Sequence, residues 1–241
     1  RTYETNMNNG IWKSTDGGKN WKKIDQGLPS ANKRGRIGID IARSNPEVLY
    51  AYVDNYEIAS KAKTGELDSY GRQMTDIIKG ATIFRTDNSG ANWKQVSGLT
   101  TEQSTFMEKH SATYGWVFGQ IRVDPNDENT LYSMGIELNQ STDGGKTFKS
   151  LDGPHADHHG LWIDPANSNY LLDVQDGGLT ISYDRGKTWK YPIKELPLAQ
   201  FYNIAYDFNT PFRVFGSIQD HHSFYGPVDL SGGRDKVPAT E

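Results

Sequence analysis

Five of the six histidines fall in two short segments: His155, His158 and His159 in "GPHADHH", and His221 and His222 in "QDHH". Each segment carries an aspartate, Asp157 or Asp220, and "QDGG" at 175–178 adds Asp176. Side chains alternate along an extended backbone, so His155, Asp157 and His159 are expected to share one side. Imidazole and carboxylate at that spacing suit a divalent cation, the one cofactor these residues suggest; nothing else in the sequence requires one. A second chemistry is glycoside hydrolysis. An inverting mechanism needs two carboxylates roughly 6.5–9.5 Å apart, and Asp157, Asp176 and Asp220 are the candidates. Trp116, Trp162 and Tyr225 are candidate sugar platforms. His155, His158, His159, Gln219, His221 and His222 are candidate ligand contacts. A plainer reading lets Asp157 and Asp220 cap strand ends by accepting backbone N–H bonds.

One more aspartate pattern invites a catalytic reading and then loses it. "STDGGKNW" (14–21) places Asp16 between hydroxyls and a glycine pair, but it returns as "TDNSGANW" (86–93), "STDGGKTF" (141–148) and "SYDRGKTW" (182–189). A catalytic centre is not normally present four times in one domain. The second copy carries Asn88 where the others carry Asp16, Asp143 and Asp184, a change a turn tolerates and a catalytic carboxylate does not. The expected role is structural. Ser14, Thr86, Ser141 and Ser182 bond to turn backbone as Asx- and ST-type turns do, and Gly18, Gly90, Gly145 and Gly186 accept a positive φ. Trp21, Trp93, Phe148 and Trp189 open the following strand.

The boxes also measure a repeat. Ser141 to Ser182 is 41 residues, and Asp124 to Asp164 is 40. Beside them, "IARSNPEVLY" (41–50), "VDPNDENTLY" (123–132), "IDPANSNYLL" (163–172) and "YDFNTPFRVF" (206–215) align without a gap as strand–turn–strand units. A period of ~40–45 residues with four short strands is that of propeller blades. The expected fold is therefore an all-β propeller arc of about five four-stranded blades, with pieces at 1–30, 36–98, 116–152, 159–193 and 200–228. Strands A to D are expected at 36–42, 47–53, 81–86 and 93–96 in the second blade. They fall at 117–123, 130–134, 136–141 and 147–150 in the third, and at 159–163, 169–175, 178–183 and 188–192 in the fourth. Insertions at 54–80 and 100–115 absorb the longer spacings. Leu67, Tyr70, Met74, Ile77 and Ile78 at 3–4 spacing, ended by Gly80, predict a short amphipathic helix in the first insertion. The chain opens and closes inside repeats, which predicts a slice of a longer polypeptide.

Bulk composition narrows the classes. The net charge of −4, without clustered positive charge, gives no nucleic-acid footprint. No apolar run approaches the ~18 residues of a bilayer span, and no cysteine provides a disulfide or a thiolate metal site.

The box S-x-D-x-G-x-x-W resembles the Asp-box, or BNR repeat, of sialidases, xyloglucan hydrolases and sortilin-type receptors. "GWVFGQIRVDP" (115–125), "HADHHGLWIDP" (155–165), "DGGLTISYDRGKTW" (176–189) and "QFYNIAYD…VFGSIQD" (200–220) are similar to large exported bacterial proteins named sortilin-like or "glycosyl hydrolase, BNR repeat". The resemblance implies one or two large propellers and an extracellular, cell-surface or periplasmic location. It supports the importance of His155, Asp157 and His159 without giving them a role. Where such proteins read Q-D-N-G, this chain reads Gln219-Asp220-His221-His222. The sialidase pattern is missing here, since the arginines are scattered and no R-I-P segment occurs.

If strand A is innermost, all four boxes and the A–B turns share one face. The insertions, "GPHADHH", "QDGG" and "QDHH" then share the other, where loops on a rigid scaffold carry binding. The expected function is a sortilin-like module that binds glycan or peptide there, or a scaffold whose partners are further blades of the polypeptide or a neighbouring subunit. The alternative is an inverting, xyloglucanase-like hydrolase using paired aspartates on that face.

Overall fold

Each box closes its turn through bonds that stay within seven residues. The computed structural model describes residues 7–67, 70–110, 119–192, 199–220, 222–229 and 231. Ser14 Oγ donates to Asp16 Oδ1 (2.8 Å) and accepts the Gly18 N–H (2.8 Å), while Asp16 Oδ1 accepts the Asn20 N–H (2.9 Å). The same bonds recur in the boxes that begin at Ser141 and Ser182. Thr86, Asn88, Gly90 and Asn92 form them with a neutral amide oxygen, so the turn does not need the charge. Two successive residues in each box have left-handed backbone, with Ser89 and Arg185 standing where the other boxes have the first glycine. The second is always glycine.

Charge still has a measurable consequence. The hydroxyl and N–H of Thr188 hold the Asp184 carboxyl at about 2, and the N–H and side-chain amide of Asn20 do the same for Asp16. A depressed carboxyl pKa adds stability that is complete above the ordinary value of 3.8 and is lost as pH falls through 2. Carboxyl chemical-shift titration is expected to give midpoints near 2 at both positions. A midpoint at the ordinary value would rule out these bonds in solution.

The boxes join strands that assemble as antiparallel sheets. The first blade contributes β1 (Trp12–Lys13) and β2 (Lys22–Lys23). The second is β3 (Arg34–Ile41), β4 (Leu49–Ser60), β5 (Ile77–Thr86) and β6 (Lys94–Gln95), paired in that order. After helix α1 (Thr101–His110), the third is β7 (Gln120–Asp124), β8 (Asp127–Met134), β9 (Leu138–Ser141) and β10 (Lys149–Ser150). The fourth is β11 (His158–Ile163), β12 (Leu171–Gln175) and β13 (Gly178–Ser182), with a bridge from Ile181 to Lys190 at the strand D position. A second unit, Ile193–Glu241, holds β14 (Phe201–Tyr206), β15 (Arg213–Ile218) and β16 (Ser223–Pro227).

Backbone bonds tie the second, third and fourth boxes to the A–B turns of their own blades. The N–H groups of Ser89, Gly144 and Arg185 donate to the carbonyls of Glu47, Asn129 and Asn169. The box glycines then set the approach of neighbouring blades. A Cβ on Gly90 would lie 2.4 Å from Ile24, on Gly145 3.0 Å from Val96, and on Gly186 2.7 Å from Leu151. Those three aliphatic residues each stand ten positions after the start of the preceding blade's own box. Trp93 adds a bond from its indole N–H to the Ile24 carbonyl at 2.7 Å. The apolar packing between blades follows: Leu49, Ala51, Val53 and Phe84 meet Ile11, while Leu161, Ile163 and Leu171 meet Tyr132, Met134 and Leu138. Along strand B the buried residues turn polar toward the B–C end, at Asp54 and Asn55, Ser133, and Asp173 and Gln175.

The 54–80 insertion differs from the expected helix. It is a β-ribbon that prolongs β4 and β5, with Ile58 opposite Ile78, Ser60 opposite Ile77 and a bridge from Leu67 to Gln73. The 3–4 spacing of apolar residues is outweighed by continuation of two strands already paired below it. Gly80 (φ 63°) sits inside β5 instead of stopping a helix. The helix lies in the other insertion, where the Thr100 carbonyl accepts the Ser104 N–H and buried Met107 joins the core between the second and third blades.

Candidate functional site

Three chain segments meet at the loop end of the fourth blade. The Asp157 and His158 N–H groups donate to Ile136 and Gly135 of the third blade's B–C turn, each at 2.9 Å. The Asp176 N–H donates to the Asp157 carbonyl at 3.2 Å. Asp157 reaches this position with a left-handed backbone (φ 66°), and a bulge follows between His158 and Gly160. The segment is therefore not a regular extended strand, and the alternation that aligned His155, Asp157 and His159 does not hold. Among the described residues, no group of three or more His, Asp or Glu side chains is placed to hold a metal ion.

The histidines separate into different environments instead. His158 is buried, and its Nδ1–H donates to Asp173 Oδ1 at 2.8 Å, with both side chains almost wholly withdrawn from solvent. Asp173 Oδ2 accepts the Thr180 hydroxyl at 3.2 Å. This arrangement is a sealed polar pin between strands A, B and C. His159 points the other way and pairs its Nε2 with Asp176 Oδ1 at 2.8 Å, both groups partly exposed. His155 is exposed, with Nδ1 donating to the Ala156 carbonyl at 3.1 Å.

The aspartates separate as well. Asp176 has its carboxylate oriented by an imidazole and is open to solvent. Asp157 contributes its backbone to the junction. Asp220, with φ 53°, lies in the second unit together with Gln219, His222 and Tyr225. There the Gln219 N–H donates to the Gln200 carbonyl, and Tyr225 stacks on Phe215 with centroids 5.5 Å apart. His221 and Trp116 lie outside the described residues. Trp162, 46% exposed, packs edge-on against Tyr170, which stacks on Tyr183 under the Lys190 ammonium.

Asp173, Thr180 and Gln175 are additions that sequence reasoning missed. The signal was present in "LLDVQ": alternation from buried Leu171 puts Asp173 and Gln175 on the core-facing side, where an aspartate needs a partner. Chemically, the loop end offers Asp176–His159 as a solvent-facing hydrogen-bonding pair on a rigid blade edge.

No protein-family model matches the chain. It is 24% identical over 180 residues, 68% of its length, to pectate lyase 3 of Pectobacterium atrosepticum, and spans only 44% of that protein. Among solved structures, a GH74 enzyme of Niastella koreensis superposes with a TM-score of 0.54 at 14% identity, covering 97% of this chain and 34% of the other. The GH74 xyloglucanase of Xanthomonas campestris gives a TM-score of 0.51 at 13% identity over the same shares. At such identities the likeness speaks for fold and leaves function to the site. The blade order, the box turns and these superpositions together make the chain a set of β-propeller blades.

Proposed function

We propose that these blades form a carbohydrate-binding module of an exported bacterial protein, with its ligand at the loop end opposite the box turns. The observation that carries this reading is the solvent-facing Asp176–His159 pair, fixed at 2.8 Å on the edge of the fourth blade. A carboxylate oriented by an imidazole keeps its second oxygen as an acceptor for sugar hydroxyls, which donate to it. The similarity to a pectate lyase and to GH74 enzymes supports a polysaccharide over a peptide ligand. The resemblance to sortilin-like exported proteins supports an extracellular, cell-surface or periplasmic setting. No helix among the described residues is long and apolar enough to cross a membrane. Trp21, 58% exposed, and Trp12, 46% exposed, occupy the positions that Trp93 and Phe84 use to meet the preceding blade. Their exposure supports further blades, of the same polypeptide or a neighbouring subunit, as structural partners.

A hydrolase is the second reading, favoured by the orientation of the Asp176 carboxylate. Calorimetric titration with polygalacturonate, xyloglucan and β-glucan oligosaccharides, run beside a reducing-end assay, separates the two. Binding without product release is expected, and Asp176→Ala is expected to weaken it by roughly 10–100-fold, the loss of one charge-assisted bond. Product release abolished by Asp176→Asn, with binding retained, would establish the hydrolase. Failure of every sugar to bind removes both readings.

A further inference from the structure

Gln175 is 4% exposed, and neither its Nε2 nor its Oε1 has a hydrogen-bond partner among the described residues. It is the one described side chain with two buried polar atoms that both lack a partner. Burying such a group without a partner costs stability relative to a satisfied one, and a methionine of similar shape would avoid the cost. A protein that keeps the amide under those terms has a use for it.

The surroundings indicate what use. Gln175 ends β12 opposite His158 in the strand register, directly before the Asp176 that pairs with His159. Gly177 makes the room: a Cβ there would lie 2.6 Å from His155 Cβ, 2.8 Å from His155 Cγ and 3.0 Å from Gln175 Oε1. The exposed His155 ring and the buried amide therefore share the space above Gly177. An amide offers one donor and one acceptor side by side, without charge. Its complement is a group that also presents one of each, and a vicinal diol of a sugar ring does so: one hydroxyl donates to Oε1 while the other accepts from Nε2.

We propose that Gln175 is the recognition residue of a sugar-diol subsite on the fourth blade, with His155 as its movable cover and Asp176–His159 at its rim. This inference rests on the carbohydrate reading above and deepens it.

Gln175→Met tests the subsite, with melting temperature and affinity for xyloglucan and polygalacturonate oligosaccharides measured on the same protein. Affinity is expected to fall by about 10–100-fold, the loss of two hydrogen bonds. The melting temperature is expected to stay level or rise, because the orphaned groups are gone. A fall of several degrees would mean that a buried water already satisfies the amide, and would overturn the proposal. So would unchanged affinity in a variant of a wild type that binds. Should the wild type bind none of the sugars, the functional reading fails and the subsite falls with it. His155→Ala addresses the cover: association is expected to quicken severalfold, and an unchanged association rate would show that His155 covers nothing.

Discussion

Replacing His158 alone by leucine is expected to destabilise the first unit by about 3–5 kcal/mol, because it strands a buried carboxylate. Asp173 is fully buried, and its two bonds come from His158 Nδ1–H and the Thr180 hydroxyl. Without the imidazole, one oxygen of that carboxylate loses its donor in a site closed to water. The double replacement His158→Leu/Asp173→Leu is expected to cost far less than the single one, since it removes both polar partners and leaves apolar volume beside Leu161 and Leu171. The distinction matters for function. A pair whose joint removal is tolerated pins strands, whereas a pair that acts on ligand would lose binding in either variant without a stability penalty. Urea unfolding followed by tryptophan fluorescence, together with sugar titration, reads both quantities. A single variant as stable as the wild type would contradict the buried His158–Asp173 bond.

Gly38→Ala is the second large effect, and its cause is space, since Gly38 does not have a left-handed backbone. Its Cβ would lie 1.9 Å from the Gly119 carbonyl oxygen and 3.3 Å from Gln120 Cα. These are main-chain atoms at the start of β7, which cannot turn aside as a side chain would. The methyl group is expected to wedge β3 from β7, stretching the 2.8 Å bond from the Val123 N–H to Asp40 Oδ2. It also disturbs the packing of Tyr52 on Ile121 between the second and third blades. Overpacking against backbone is expected to cost about 3 kcal/mol, at the upper end for such changes. That is a fall of roughly 6–12 °C in melting temperature for a unit of this size. Calorimetry checks it, and a variant that melts with the wild type would mean the two strands do not approach so closely.

The sequence by itself determined the repeat. The bonds that close the box turn are made inside seven residues, so Ser141, Asp143 and Gly145 carry their own turn wherever the chain places them. The strand–turn–strand units alongside are equally local, and the expected strands overlap those observed, except that β4 runs on to Ser60 and the fourth blade's strand D is a single bridge at Lys190. The polar character of the loop end was also legible, because His155, His158, His159 and Asp176 are rare residue types gathered in short segments.

Tertiary structure alone decided what those residues do. The left-handed Asp157 broke the alternation on which a His155–Asp157–His159 set depended, and it arises where the chain bonds to the neighbouring blade's turn. The 54–80 segment became a ribbon because β4 and β5 were already paired beneath it, a condition no window of spacing contains. Asp173 and Gln175 became the informative residues of the fourth blade through side-chain placement in the folded sheet, which brought Asp173 to the His158 ring and left the Gln175 amide without a partner. Bonds formed within a turn are written in adjacent letters. The partner of a buried polar group is chosen by which strands lie side by side, and that choice belongs to the folded sheet.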